Sequence, residues 1–345
     1  MKYLKNYWND IEKVIKYIPN ITRLNGTSIL ITGATGMVCS TVVEMLFYLN
    51  EQGAKITIYL AGRNIKRVKS RFSRFKEGTD YIFVEYDATK ASILEINPHY
   101  IIHGASNANP SIYMKQPVET MLGNIIGLNT ILRLASEKKS KRVLYISSSE
   151  VYGTIHENKT YKESDYGVVD ILNPRACYPS AKRAGETLCA SYSFENDFET
   201  VIVRPGHIYG PTITRSDSRA SAQFTWSAIA GQDIVMKSAG TQLRSYCYTM
   251  DCASAILTVL INGENRNAYN ISNKNSIVSI RDLAEAFANY TGIKIVFENP
   301  SDAEVSGYNF MSNSSLNAQK LEMLGWKAIF DLKSGVKNTV DYLRE

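Results

Sequence analysis

The chain has 345 residues, of which 44% are hydrophobic and 21% charged. These values are ordinary for globular proteins and exclude a disordered chain; the length predicts one large domain with a smaller lobe attached. The net charge of +6 comes from 39 basic and 33 acidic residues spread along the sequence. Basic clusters such as 66–71 and 138–142 are interpreted as solvated helix faces, so we expect an anionic ligand and no nucleic-acid partner.

Five cysteines without a Cys-x-x-Cys pair predict neither a disulfide framework nor a zinc site. The histidines, which are not spaced like metal ligands, are His99, His103, His156 and His207. We therefore expect no metal. The first 22 residues are charged and amphipathic, and no apolar run of 18 residues follows. We expect a soluble, cytoplasmic protein with no membrane contact. Its helical extension over 1–25 is expected to pack on the main domain or on a neighbouring subunit.

Apolar runs alternate with helical patterns between residues 28 and 203. The predicted strands are 28–32, 55–60, 81–85, 100–103, 142–146 and 200–203. The predicted helices between them are 38–49, 65–75, 118–135 and 181–192. This alternation predicts an α/β fold with a doubly wound parallel sheet over 26–205. Beyond Pro211 we expect shorter helices and turns, ending in a helix over 332–343. Residues 206–345 should form a smaller α/β substrate lobe over the carboxyl edge of the sheet, with some strands returning to it.

A glycine loop joins the first strand to the first long helix. Its sequence is Thr32-Gly33-Ala34-Thr35-Gly36-Met37. Gly33 permits a tight turn and Gly36 lets the backbone approach a pyrophosphate, while the helix N-terminus offers amide donors to the anion. This strand-turn-helix predicts a Rossmann-type dinucleotide-binding domain.

Two features depart from the usual dinucleotide motif. Cys39 stands where a third glycine usually allows close helix packing, and a small thiol can be tolerated there. The second strand runs into Arg63-Asn64 without the acidic residue that binds the ribose of NAD. Arg63 could face a 2′-phosphate and favour NADP, or stack on adenine. We place NAD ahead of NADP because the reaction class inferred below recycles its own cofactor.

Tyr178 and Lys182 are the main catalytic candidates. A Tyr and a Lys four residues apart share one helix face, where the ammonium can hold the phenol near its anionic form and make it a base. The chain has two further Tyr-x-x-x-Lys pairs, Tyr86/Lys90 and Tyr290/Lys294. Only Tyr178/Lys182 opens a helical pattern after a strand that ends in three hydroxyls and a carboxylate, at 147–150.

Together, the glycine loop, Ser-Ser-Ser-Glu-Val-Tyr-Gly at 147–153, Tyr178/Lys182 and Arg-Pro-Gly-His-Ile-Tyr-Gly-Pro at 204–211 resemble extended short-chain dehydrogenases/reductases. The chain is similar to their NAD-dependent epimerase/dehydratase group, which acts on nucleotide sugars. After the fifth strand, 4,6-dehydratases carry Thr-Asp-Glu and 4-epimerases usually lack the Glu. The triplet at 148–150, Ser-Ser-Glu, is most similar to UDP-glucuronate decarboxylases.

Three other segments, 113–117, 173–178 and 242–246, carry the same similarity. Two positions differ from the group: His207 replaces an Asn, and Pro179-Ser180-Ala181 replaces an acidic stretch, so the sugar could differ. A 4-epimerase or a dTDP-glucose 4,6-dehydratase, which share the 4-keto intermediate, remains the alternative. A non-catalytic nucleotide-binding scaffold is the remote one.

The resemblance implies a role for each of these residues. Tyr178 takes the proton of the sugar 4-hydroxyl, Lys182 lowers the pKa of that phenol, and Ser148 bonds the same hydroxyl. Arg244 and Ser149 hold a carboxylate on carbon 5, and Glu150 assists proton return there. Cofactor contacts are expected at Gly33, Thr35, Gly36, Met37, Arg63, Asn64, Asp87, Ala105, Ser106, Asn124, Ser147, Tyr178, Lys182 and Pro205. Substrate contacts are expected at Tyr113, His207, Arg219, Gln223 and Arg244.

Each of three charged candidates also has a purely structural interpretation. Arg244 could form a surface ion pair, Glu150 could cap a helix, and Arg219 could form a loop salt bridge. The apolar helices over 121–134 and 181–192 resemble the four-helix dimer seam of the group, although either could simply cover the sheet. We expect a homodimer that binds a nucleotide sugar and NAD.

Overall fold

The structure, a computed structural model, describes residues 5–155, 157–300 and 311–344. In these residues the helices are α1 (Lys5–Ile15), α2 (Met37–Glu51), α3 (Ile65–Arg71), α4 (Pro110–Lys115), α5 (Pro117–Glu137), α6 (Cys177–Glu195), α7 (Ala220–Ala230), α8 (Thr249–Asn262), α9 (Ile280–Thr291), α10 (Gln319–Glu322) and α11 (Leu332–Arg344). Short 3₁₀ helices lie at Ile21–Leu24, Ser149–Tyr152, Pro174–Ala176 and Lys274–Ser276. No helix in these ranges combines the length and apolar character that a membrane crossing requires.

The strands of the described ranges are β1 (Ser28–Thr32), β2 (Thr57–Gly62), β3 (Ile82–Glu85), β4 (Tyr100–His103), β5 (Arg142–Ile146), β6 (Glu199–Pro205), β7 (His207–Tyr209), β8 (Ile234–Met236), β9 (Leu243–Tyr248), β10 (Asn267–Ile271), β11 (Ile277–Ser279), β12 (Ile295–Phe297) and β13 (Asn313–Ser314). In the described chain, seven of them form a parallel central sheet in the order β10-β6-β5-β4-β1-β2-β3. The predicted doubly wound α/β fold is confirmed. Because the strand order reverses between β1 and β4, a crevice opens at the carboxyl ends of these two strands.

Helices cover both faces of this sheet, which explains the continuous apolar runs in its strands. Successive side chains of a strand point to opposite faces. Ile29 and Ile31 of β1 therefore join the core formed with α2 and α8, whereas Leu30 joins the core formed with α5 and α6. The strands β1 and β4 are buried along their whole length. The two cores fix the carboxyl edge on which the candidate site is built.

The leading helix α1 packs on its own chain. Its Tyr7 hydroxyl donates to the buried Glu44 carboxylate of α2 at 2.5 Å, and Arg71 of α3 pairs with the same carboxylate at 2.8 Å. At the other end of the chain, the Tyr342 hydroxyl donates to Asp10 at 2.6 Å. Of the two placements expected for this segment, the structure shows packing on the main domain. Residues 1–4 of the predicted extension lie outside the described residues.

Beyond Pro211 the helices are shorter than α2, α5 and α6, as expected, but the sequence analysis did not predict the individual strands β7 and β11. Three helices there, α7, α8 and α9, have 11, 14 and 12 residues, and α8 is buried against α2. The strand β9 pairs with β7, β11 and β13, while β10 returns to the central sheet. The strands β7 and β11 have only three residues each, and both pair with β9, which is distant in sequence. No local sequence pattern therefore predicts them. The predicted basic helix 65–75 also ends earlier, at Arg71.

Candidate active site

The glycine loop forms a close contact between the ends of β1 and β4. Gly33 has φ of 69°, and a Cβ there would lie 2.7 Å from the Gly104 carbonyl oxygen. The Thr32 hydroxyl oxygen accepts bonds from the amides of Gly104 and Ala105, each at 3.1 Å. Gly36 is the residue before the first turn of α2, and its amide donates to the Gly33 carbonyl at 2.9 Å. The loop thus presents backbone atoms and the N-terminus of α2 to the crevice, where an anion can bind.

Cys39 fills space next to this loop. Its side chain is buried, and a Cβ on Gly104 would overlap its sulfur. Burial raises the pKa of the Cys39 thiol to about 12, so the group is a neutral packing element. The glycine expected at position 39 is therefore replaced by a small side chain, which Gly104, directly after the neighbouring strand β4, accommodates.

The predicted cofactor contacts fall into two groups. Ser106 Oγ and Asn124 Oδ1 are buried without a hydrogen-bond partner among the described residues, as expected of groups that a ligand would satisfy. Asn64, in contrast, accepts the Arg67 amide at 3.2 Å and caps α3. Ser147 donates to Glu186 at 2.5 Å and is already used within the protein. The two unpartnered atoms, Ser106 Oγ and Asn124 Oδ1, together with the glycine loop fit the binding of a dinucleotide.

Two further predicted contacts lie at the outer end of this crevice. Asp87 accepts the Thr89 amide at 3.0 Å, and this bond, with a smaller effect of the Arg63 charge, lowers the pKa of the Asp87 carboxyl. Arg63 itself is exposed at the end of β2. The remaining members of the predicted set, Thr35, Met37 and Pro205, lie in the glycine loop, in the first turn of α2 and at the end of β6.

Tyr178 and Lys182 lie in the first turns of α6, and both are buried. The Lys182 ammonium donates to the Ile146 carbonyl at 2.8 Å and lies 5.7 Å from the centre of the Tyr178 ring. Burial raises the pKa of Tyr178 to about 12, while hydrogen bonding with Ser148 acts in the opposite direction. Burial also lowers the pKa of Lys182 to about 7. The predicted lowering of the Tyr178 pKa by Lys182 is not seen in this structure, because burial is the largest effect on the Tyr178 pKa and Lys182 is not among the groups that lower it.

Tyr113 lies flat against Tyr178. The ring centres are 5.3 Å apart and the planes differ by 10°. Cys177 fixes the approach, since its thiol contacts the Tyr113 carbonyl at 3.7 Å. The structure thus brings a predicted substrate residue from α4 directly onto the candidate base.

The segment 148–150 follows β5 and begins a 3₁₀ helix. The Ser148 hydroxyl oxygen accepts the Glu150 amide at 3.2 Å and caps this turn. Ser149 is half-buried in the same turn. The cap is thus Ser148, and the Glu150 side chain points elsewhere: its carboxylate lies 3.4 Å from Arg175 Nη1.

Arg175 is a residue that the sequence analysis did not assign to the site. It lies on the 3₁₀ turn before α6, where the Asn173 side chain accepts its amide at 3.0 Å. The signals in the sequence were its position three residues before Tyr178 and its place in segment 173–178, which carries the similarity noted above. Its partner Glu150 is 25 residues away, so spacing could not reveal the pair.

Arg244 and His207 occupy the second lobe's side of the cleft. The Arg244 side chain is buried rather than at the surface, and its Nη1 donates to the carbonyls of Leu243 at 2.8 Å and Met311 at 2.9 Å. Burial lowers the pKa of His207 to about 3, and the charges of Arg244 and Arg219 act in the same direction. His207 Nδ1 has no partner among the described residues. His207 is therefore a neutral group held beside two cations.

Arg219 and Gln223 form most of their hydrogen bonds with residues close to them in the chain. Arg219 Nε donates to both carboxylate oxygens of Asp217, at 2.9 and 3.1 Å, so the loop salt bridge is present. The same guanidinium also contacts Met37 Sδ at 3.9 Å and thus borders the glycine loop. Gln223 is exposed and donates to the Ser218 carbonyl at 2.9 Å. Its backbone amide donates to the Arg219 carbonyl at 3.0 Å, which is the helix bond that places the two residues on consecutive turns.

A buried ion pair below the cleft was also missed. Arg204 of β6 donates to Glu186 of α6 at 3.0 and 2.6 Å, and a third bond at 3.0 Å reaches the Tyr152 hydroxyl. This network ties α6, which carries the Tyr178/Lys182 pair, to the sheet. Among the described residues no group of three or more histidines, cysteines and carboxylates is placed to hold a metal. His156 lies outside the described residues.

The chain is similar to proteins of known family and structure. Residues 29–272 match the model of the NAD dependent epimerase/dehydratase family. UDP-glucuronic acid decarboxylase 1 of Xenopus tropicalis is 28% identical over 320 residues, which are 92% of this chain and 72% of that protein. A UDP-glucose 4-epimerase of Thermotoga maritima, solved with UDP-glucose, has a TM-score of 0.76 at 21% identity, covering 92% of this chain and 98% of that one. A dTDP-glucose 4,6-dehydratase of Bacillus anthracis, solved with NAD, has a TM-score of 0.75 at 19% identity, covering 92% and 96%.

Proposed function

We propose that the chain, which belongs to the NAD dependent epimerase/dehydratase family, is a decarboxylase of a UDP-linked hexuronic acid. The proposed reaction uses NAD and proceeds through a 4-keto sugar intermediate. The family membership confirms the resemblance inferred from the motifs. One observation carries the specific reaction: the Glu150 carboxylate pairs with Arg175 and interacts with Arg244 beside the Tyr178 phenol. The name of the Xenopus tropicalis relative supports the same choice.

The first half of the reaction is an alcohol oxidation at carbon 4 of the sugar. NAD, when bound, supplies the hydride acceptor and a positive charge beside the phenol. Tyr178 removes the proton of the 4-hydroxyl, and Ser148 orients that hydroxyl. Lys182, fixed by the Ile146 carbonyl, keeps a cation or a hydrogen-bond donor next to the Tyr178 ring. Tyr113 restricts the Tyr178 ring to one plane and excludes water from that face.

The second half is the loss of carbon dioxide. A carboxylate on carbon 5 is β to the new ketone, so breaking the carbon–carbon bond leaves its electron pair in an enolate that the ketone oxygen holds. Arg244 and Ser149 hold the carboxylate before it leaves. Glu150 assists delivery of a proton to carbon 5, and the ketone is then reduced back to the alcohol. No net oxidation results.

We favour NAD over NADP as the cofactor. Arg63 is exposed and interacts with Asp87, so a phosphate placed against Arg63 would also approach that carboxylate. Calorimetric titration of the cofactor-free protein with NAD and NADP tests this preference. Tighter binding of NADP would overturn it.

The quaternary structure is also part of the proposal. The helix α5 exposes Val118, Met121 and Leu122, with exposed fractions of 69%, 42% and 47%. Three exposed apolar side chains within the first two turns of a helix that borders α6 favour a homodimer through a four-helix seam. Light scattering should give twice the chain mass. Leu122→Asp should reduce that mass to one chain, and a monomeric wild-type protein would contradict the seam.

The decisive experiment supplies purified protein and NAD with UDP-glucuronate, UDP-glucose and dTDP-glucose in parallel. We expect carbon dioxide and a UDP-pentose from the first substrate alone. A UDP-galacturonate product without carbon dioxide would make the protein a 4-epimerase instead. Water loss from dTDP-glucose would make it a dehydratase, a reaction for which Ser149 replaces the proton-donating Asp. No product from any substrate would favour the non-catalytic scaffold.

A further inference from the structure

The Thr32 hydroxyl joins the two walls of the dinucleotide crevice, which are the glycine loop (32–37) and the segment after β4 (104–106). Thr32 and His103 end their strands and lie opposite each other in the sheet. Both side chains are buried, and Thr32 Oγ1 lies 2.9 Å from His103 Nδ1. The same oxygen accepts the amides of Gly104 and Ala105, each at 3.1 Å. Three polar groups therefore surround one hydroxyl oxygen.

The direction of the bond between Thr32 and His103 follows from counting protons. A hydroxyl oxygen accepts two hydrogen bonds and donates one. Backbone amides only donate, so Gly104 and Ala105 occupy both acceptor sites of Thr32 Oγ1. The hydroxyl proton is left for His103 Nδ1, which must therefore be an acceptor. A neutral imidazole with an unprotonated Nδ1 carries its proton on Nε2.

The surroundings of His103 keep its ring neutral. Burial lowers the pKa of His103 to about 3, and the charge of Lys182 acts in the same direction. The Tyr145 ring stacks on the imidazole with 6.0 Å between ring centres, and the Tyr86 ring lies at 81° to it. A charged imidazole would carry a proton on Nδ1 and become a third donor on an oxygen that has two acceptor sites.

The two walls are in close contact at this point. Gly33 follows Thr32 directly, and a Cβ on Gly33 would lie 2.7 Å from the Gly104 carbonyl oxygen. Because His103 takes the hydroxyl proton, the acceptor sites of Thr32 stay directed at the opposite wall. Ser106, two residues beyond Gly104, keeps a buried Oγ without a partner among the described residues. The hydroxyl thus fixes the place from which this wall meets a ligand.

We propose that His103, in its neutral form with the proton on Nε2, is a positioning residue of the cofactor site. By accepting the proton of Thr32, it directs that hydroxyl at the amides of Gly104 and Ala105 and holds both walls of the crevice in one arrangement. The inference rests on the proposed use of NAD and deepens it, because it adds a residue that acts on cofactor binding through Thr32.

Substitutions at two positions test this role in the full-length protein. His103→Leu removes the acceptor, whereas His103→Asn carries an amide oxygen on Cγ, the atom to which Nδ1 of histidine is bonded. Thr32→Val removes the hydroxyl and keeps the shape of the side chain. His99→Leu is the matched control, because His99 Nδ1 accepts the Ser28 amide at 3.0 Å. That contact lies at the opposite end of β1, away from the crevice.

Calorimetric titration with NAD gives the first measurement. His103→Leu should weaken NAD about 5- to 50-fold, as expected when buried polar groups lose a partner, and Thr32→Val should act similarly. The double variant should bind NAD no more weakly than Thr32→Val alone, because both changes break one unit. His103→Asn should keep NAD affinity within about 3-fold, and His99→Leu should leave it unchanged.

Thermal unfolding separates positioning from a merely structural role. His103→Asn leaves the larger cavity and should lower the Tm more than His103→Leu does, although it binds NAD better. The two variants should therefore rank in opposite orders for Tm and for affinity. Losses of affinity that follow the losses of Tm would overturn the inference, as would unchanged NAD binding in His103→Leu.

NMR of protein labelled with ¹⁵N-histidine tests the proton count directly. The signals that disappear in His103→Asn belong to His103. We expect a proton on Nε2 and none on Nδ1. A proton on Nδ1 would make Thr32 the acceptor of three donors and would overturn the inference.

The same proteins separate this inference from the proposed reaction. NAD binding that depends on His103, in an unmutated protein that releases no carbon dioxide, would keep the inference and discard the decarboxylation. Carbon dioxide release by the unmutated protein, with equal NAD affinity in His103→Leu, would keep the reaction and discard the inference.

Discussion

The cofactor side and the sugar side of the cleft hold their polar groups in opposite ways. On the cofactor side, the glycine loop is fixed by backbone contacts, and Ser106 and Asn124 keep buried atoms without partners. On the sugar side, charged groups pair with one another, as Arg219 does with Asp217 and Arg175 with Glu150. The first side therefore fits a preorganised ligand site, whereas we expect the second to exchange internal pairs for ligand contacts.

The largest effect should come from Tyr178, where the two sides meet. Tyr178→Phe removes the hydroxyl that acts as the base in the proposed reaction but keeps the ring that stacks on Tyr113. We expect turnover to fall about 10²- to 10⁴-fold, with cofactor affinity unchanged, in steady-state assays and cofactor titrations. Tyr290→Phe, which changes an exposed tyrosine bonded to Asp341, should retain full activity. An active Tyr178→Phe enzyme would refute the assigned base.

On the cofactor side, a substitution that disturbs the backbone of the glycine loop should abolish cofactor binding. Gly33→Ala adds a Cβ at a positive φ and 2.7 Å from the Gly104 carbonyl oxygen. The left-handed backbone alone costs roughly 1–2 kcal/mol, and the overlap adds to it. We expect loss of NAD binding in calorimetry and a lower Tm. Gly36→Ala, with φ of −73° and its nearest atom at 3.2 Å, is the matched control and should be milder. Equal effects of the two changes would contradict a preformed loop.

A smaller effect concerns the buried ammonium between the two sides. The pKa of Lys182 is about 7 in the folded protein, below its usual 10.5, so between these values the unfolded chain binds more protons. The Lys182 contribution to stability is therefore least favourable below pH 7 and improves as pH rises. Lys182→Met should inactivate the enzyme yet raise its Tm at pH 6, with the gain shrinking by pH 9. If the Tm gain of Lys182→Met instead grew as the pH rises, the pKa of Lys182 would be raised, not lowered, in the folded protein.

The smallest effect should arise where an internal pair competes with the ligand. Asp217→Asn removes the carboxylate that occupies Arg219. If the sugar side exchanges pairs on binding, the freed guanidinium should tighten UDP-xylose binding by about 2- to 5-fold, the range of an exposed ion pair. Arg219→Gln should weaken the same ligand. Weaker binding in Asp217→Asn would mean that the pair holds Arg219 in its binding position.

The same contrast explains what the sequence could predict. The strands 28–32, 100–103 and 142–146 were predicted with their observed ends because each is a local run of buried apolar residues. The glycine loop was predicted because its conformational demands fall on adjacent residues. The short strand β7 was missed because its existence depends on pairing with β9, almost forty residues later.

The side-chain partners in the site follow the same rule. Tyr178 and Lys182 were found because one helical turn relates them. The pairs Glu150/Arg175 and Glu186/Arg204 join residues 25 and 18 positions apart on different elements, so only the folded chain reveals them. The pKa of Tyr178 was predicted in the wrong direction because burial, which sets it, is a property of the whole fold.

The contact between Cys39 and Gly104 constrains how this protein can evolve. The sulfur of one residue occupies the volume that any larger residue at the other would need. A lineage that enlarges position 104 before position 39 becomes smaller would pass through an overpacked and less stable intermediate. The order of substitutions at these two sites is consequently constrained by packing.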